Sequence, residues 1–129
     1  MFRLQRNAYD EIIRWVEEHP TIEVTGFVKK MPSGTQVVIP MQNVAKDPAH
    51  DYAWDPAEMK EQWDLMDGQL AEPIAYYHSH PTGLAEPSET DMQYAYQTDL
   101  IYLIAGRGQL TAWLCLEPGI LVNERLVLE

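Results

Sequence analysis

Tyr9, Ile12, Ile13 and Val16 recur at helical spacing. They predict a helix from about Asn7, a suitable N-cap, to Glu18, with His19-Pro20 ending it. The pattern then shortens. Glu23 to Lys30 reads as a strand, Met31-Pro32-Ser33-Gly34 as a turn, and Thr35 to Ile39 as the returning strand of a hairpin. Residues 41–54 carry no periodicity and read as an irregular connection. Asp55-Pro56 is an N-cap followed by proline at the first helical position, and Met59, Trp63, Met66 and Leu70 continue a helical stripe. That stripe is expected to pack against the core, with Gly68 at or near the helix end.

Pro73 to Tyr77 predicts a buried strand that runs into His78-Ser79-His80-Pro81. Thr82 to Pro87 reads as loop, and Ser88 as the N-cap of a short helix. Leu100 to Ala105 and Gln109 to Leu116 are strands about a Gly106-Arg107-Gly108 turn, and Ile120 to Leu128 is a last strand after Glu117-Pro118-Gly119. The order α-β-β-α-β-α-β-β-β predicts an α/β (α+β) fold: one domain over residues 1–129, with a mixed sheet flanked by helices.

Composition narrows the function. The 129 residues suit one core, and 46% are apolar, including four Trp and seven Tyr. A net charge of −11 repels phosphate backbones and argues against nucleic-acid binding. The single cysteine, Cys115, forbids an internal disulfide and points to a reducing compartment. It lies in the apolar run Leu114-Cys115-Leu116, where a cysteine serves as a small hydrophobe rather than a nucleophile. No stretch approaches the ~20 apolar residues of a membrane span, and residues 1–6 lack the apolar core of a signal peptide. A cytoplasmic protein is expected, or a component of a particle assembled inside a cell.

The chemistry concentrates in residues 78–91. His78 and His80, two apart on a strand, point to one face, so both imidazoles reach one ion. A loop and a helix start then bring back Asp91, an ordinary third zinc ligand. Three protein ligands leave a fourth position open, the pattern of a catalytic rather than a structural zinc site. Asp91 is equally explained as the third residue of a helix capped by Ser88, and the two roles are compatible. Ser79 alternates with the histidines and should face away from them. His19 and His50 have no partner at ligand spacing.

The segment His78-Ser79-His80-Pro81, followed by Ser88 and Asp91, resembles the JAMM signature of the JAB/MPN metallopeptidases, a glutamate upstream of His-x-His-Pro-x6-Ser-x2-Asp. Glu23-Val24-Thr25-Gly26 is similar to the family's Glu-x-x-Gly strand, and the likeness runs from the first helix to about Leu116. The resemblance implies an MPN/JAB (cytidine-deaminase-like) fold and one Zn2+ held by His78, His80 and Asp91. It implies Glu23 as general base and acid, and Ser88 as a donor to the oxyanion, although capping alone also explains Ser88. Thr25 stands where bacterial and phage members often have cysteine. The short interval from Asp91 to Leu100 lacks the insertion of ubiquitin-cleaving relatives, which marks a compact prokaryotic or phage type. The implied substrate is a peptide or protein: a ubiquitin-like or sulfur-carrier protein tail, or a component of a phage tail. The rival readings are a non-catalytic MPN scaffold or tail-assembly protein, and a nucleoside deaminase, whose usual Cys-x-x-Cys pair a single cysteine excludes. Oligomeric state is not fixed by the sequence.

Overall fold

A computed structural model describes residues 1–129. Six strands form a mixed sheet in the order β3-β2-β4-β5-β6-β7. They are β2 (Thr25–Lys30), β3 (Gln36–Met41), β4 (Glu72–His80), β5 (Ile101–Gly106), β6 (Gln109–Glu117) and β7 (Ile120–Glu124). Only β4 and β5 run parallel; the other neighbours are antiparallel. The link between these two is therefore a crossover, and it carries the loop after His80 and the helix α3 (Glu89–Gln93).

Side chains alternate across the sheet, so each face has its own helix. On one face Val28, Val38, Ala75, Tyr77 and Leu103 meet Ala8 and Ile12 of α1 (Arg6–Glu18). On the other, Phe27 and Met41 meet Met66 of α2 (Pro56–Gln69), with Trp54, Met59 and Trp63 packed around them. Cys115 is buried with Ala95, Tyr102 and Leu121 in a smaller cluster, as its apolar setting predicts. No helix is long and apolar enough to cross a membrane.

The structure departs from the sequence pattern at the helix ends and at the chain ends. The first helix begins at Arg6 with Gln5 at the N-cap and no capping side chain. Asn7 lies inside it and donates instead to Gln36 O of β3 at 3.2 Å. The second helix runs past Gly68 and stops at Leu70, an exposed residue in the left-handed region with φ 55°. Leu70 therefore adds nothing to the core stripe. The run from residue 120 to 128 is two strands, because β8 (Leu126–Leu128) leaves the sheet and pairs in parallel with β1 (Phe2–Leu4). Leu4 is fully buried in this ribbon, and Phe2, Leu126 and Leu128 pack on the α1 face of the core.

Candidate metal centre and its surroundings

The carboxyl end of β4 sets the site. His78 and His80 alternate with Ser79, so both imidazoles lie on the α2 face while Ser79 points to the α1 face. There Ser79 Oγ accepts from Val24 N at 2.9 Å, and Ser79 N donates to Val24 O at 3.0 Å. The residue between the histidines thus anchors the segment that carries Glu23, which lies just before β2 rather than within it.

Three donor atoms converge. His78 Nε2 and His80 Nε2 are 3.2 Å apart, and each is 3.0 Å from Asp91 Oδ2. Ligands about 2.1 Å from one ion at tetrahedral angles stand about 3.4 Å apart, so this triangle matches a single small cation. His80 Nδ1 lies 2.9 Å from Leu84 O and must donate to it, so the neutral ring turns its Nε2 lone pair inward and the protonated ring turns an Nε2–H toward Asp91. Asp91 is held from behind by a capping box: Ser88 Oγ accepts from Asp91 N at 3.0 Å, and Ser88 N donates to Asp91 Oδ2 at 2.9 Å. Capping and convergence use the same carboxylate oxygen, whose two lone pairs accommodate one N–H and one ion.

Burial alone would raise the Asp91 carboxyl. Hydrogen bonds from His78 and His80, reinforced by Ser88 N, outweigh it and hold the group well below the usual carboxylate range. The hydrogen bond to Asp91 raises His80. Glu23 is 6% exposed, and its carboxylate and the His78 and His80 donor atoms all lie within 4.8 Å of one another. Burial pushes Glu23 up to about 7, against a smaller lowering by His80.

Residues 42–54 close the site, and one side chain organises them. Asn43 Nδ2 donates to Glu23 O and to Asp51 O, both at 2.9 Å. Its Oδ1 accepts from Ala45 N at 3.0 Å and Ala53 N at 3.2 Å. The loop so tied returns Tyr52, which stacks on His78 at 4.6 Å, and Trp54, whose Nε1 donates to Thr25 Oγ1 at 2.7 Å. His50 Nδ1 is 3.0 Å from Asp47 Oδ2, and His50 shares a cleft with Glu23 and His80. The roles of Asn43 and Tyr52 and the pairing of His50 with Asp47 leave no mark in the sequence, because a loop offers no period to show which side chains turn inward.

The sheet, its flanking helices and this constellation define a JAB/MPN-type domain. The family model described as prokaryotic homologs of the JAB domain matches residues 5–116, and the chain belongs to that family. The chain is similar to a desampylase of Haloferax volcanii, 30% identical over 116 residues, 84% of either chain. It also resembles the CysO-cysteine peptidase of Mycobacterium tuberculosis, 35% identical over 66 residues, 51% of this chain and 44% of that one. Among solved structures, a protein from Desulfitobacterium hafniense superposes with a TM-score of 0.83 over 100% of this chain and 93% of its own, at 21% identity. A JAB1/MPN domain protein from Archaeoglobus fulgidus superposes at 0.61 over 98% and 99%, at 13% identity. Identities this low bear on the fold alone, and the fold is that of the JAB/MPN proteins.

Proposed function

We propose that this chain is a zinc-dependent peptidase or isopeptidase, and that it releases a ubiquitin-like or sulfur-carrier protein from its conjugates. The observation that carries the chemistry is the triangle of His78 Nε2, His80 Nε2 and Asp91 Oδ2 with the Glu23 carboxylate beside it. The substrate class rests on the relatives, one named a desampylase and the other a CysO-cysteine peptidase. The four converging groups favour an enzyme over a scaffold, and nothing in the fold or the relatives adds to a phage-tail setting.

In this reading His78, His80 and Asp91 hold the ion, with Leu84 O and Ser88 N fixing two of them from behind. Bound there, zinc supplies Lewis acidity toward water and an amide carbonyl. The Glu23 carboxylate takes a proton from the attacking water and delivers it to the leaving amine. A carboxyl raised toward neutrality suits both transfers, and a bound cation nearby draws it down to favour the base form. Ser88 Oγ spends a lone pair on Asp91 N, so its own proton stays available to an oxyanion.

Elemental analysis of the purified protein should find close to one zinc per chain, lost in the His78→Ala, His80→Ala double variant. Glu23→Gln should keep its zinc and lose about 10²–10⁴-fold in turnover of a ubiquitin-like conjugate. Full zinc in the double variant would end the ligand assignment, and near-normal turnover in Glu23→Gln would end that of the base.

A further inference from the structure

Beside Asp91, on the α2 face, lies a cleft of about 580 Å³ that the chemistry above does not use. Its wall is a chain of edge-to-face rings. Trp54 meets Tyr76 at 5.1 Å and 72°, and Tyr76 meets Tyr102 at 5.8 Å and 89°. Hydrogen bonds fix two of them, Trp54 to Thr25 and Tyr76 Oη to Gln97 at 2.7 Å. At the lip stand Tyr94 and Tyr96, 63% and 61% exposed, a large aromatic surface left to water. Such paired amphipathic rings are the side chains that recognition sites favour. They sit in the short interval between Asp91 and Leu100.

The charge of the cleft is one-sided. Asp51 and Asp91 line it, and no Lys, Arg or His does. Lys60, next in sequence to the lining residue Met59, is tied to Asp64 at 2.6 Å. Electron-rich ring faces beside an unpaired carboxylate attract a cation and repel an anion.

We propose that this cleft binds a cationic side chain, arginine or lysine, of the substrate polypeptide next to the bond that is cut. The stem lies along Trp54, Tyr76 and Tyr102, the charged head faces Asp51, and the rings of Tyr94 and Tyr96 close over it. This assignment rests on the peptidase reading for its purpose, and it adds a selectivity that the metal centre lacks.

The test reads binding without turnover. Zinc-loaded protein is titrated with N-acetyl-arginine amide, N-acetyl-norleucine amide and N-acetyl-glutamate amide, followed by NMR with the Trp54 indole as reporter. The arginine ligand should bind about tenfold tighter than the glutamate one, with norleucine between. Asp51→Asn should weaken arginine about fivefold and leave norleucine unchanged, and rising salt should do the same. The Tyr94→Ala, Tyr96→Ala double variant, altered only at exposed positions, should weaken both. Norleucine binding as well as arginine, or no ligand perturbing Trp54, overturns the proposal. Repeating the titration in Glu23→Gln separates the two readings. A lost cation preference removes this cleft and leaves the peptidase standing, whereas a preference kept without any hydrolysis by the parent protein does the reverse.

Discussion

An ionised Glu23 is costly to the fold. Its carboxyl is raised from 4.5 to about 7, chiefly by burial, so the neutral form is the one the folded chain prefers. A group raised in this way contributes fully below its unfolded value and loses that contribution as pH climbs through the folded one. Chelated protein should therefore lose stability between pH 4.5 and 7, whereas Glu23→Gln has nothing to titrate. At pH 8 the variant should be the more stable by on the order of 3 kcal/mol, and at pH 4 the two should be equal, as read by denaturant titration. Parallel pH dependences would mean that the ionised carboxylate is solvated after all. Asp91 has the opposite sign: its depressed carboxyl stabilises above the ordinary range and ceases to do so in acid. At this scale much was legible. Strand alternation alone places the two imidazoles together and turns Ser79 away, and Ser79 is found on the far face bonded to Val24. The pairing of His50 with Asp47 was not legible. Asp47 lies three residues back in a loop, where spacing carries no directional meaning.

Elements differ in how much of their reason lies within them. Helix α3 has only five residues and is held by its capping box, which Ser88 and Asp91 announce in the sequence. The 42–54 loop has no such local signature, because its order comes from one amide bonded to distant backbone. Asn43→Ala would leave those groups unmatched and should cost about 1–3 kcal/mol. Hydrogen exchange should show the amides of Val44, Ala45 and Ala53 losing protection while those of β4 keep theirs. Equal loss in both would make Asn43 a general prop rather than the tie of this loop. At the end of α2 Gly68 lies one residue before the last helical position, near the end as expected, but Leu70, expected in the core stripe, is instead the C-cap in the left-handed region, 81% exposed. Leu70→Gly relieves that strain and should raise stability by about 0.5–1 kcal/mol, seen as a higher Tm.

At the scale of the molecule, the succession of elements and a mixed sheet flanked by helices follow from periodicity, while the lateral strand order and the ribbon joining the chain ends do not. Three residues of β1 are too few to show a period of two, and β8 hides in the apolar run that begins with β7. Both strands also lie outside residues 5–116, so this clasp is no part of what the family match describes. Its geometry has a mechanical consequence. The two strands run the same way, with Phe2 beside Leu126 and Leu4 beside Leu128. A tension applied between Met1 and Glu129 therefore drags them past each other along their axes. Every bond of the ribbon, from Phe2 N to Arg125 O through Glu129 N to Leu4 O, is loaded at the same moment rather than in turn. Tugging across the antiparallel β6–β7 hairpin from its open end would instead peel bonds one after another, like a zip. An optical-trap experiment should find rupture through the termini abrupt and at higher force than rupture through that hairpin, so the clasp resists traction on its two ends better than the sheet edge does.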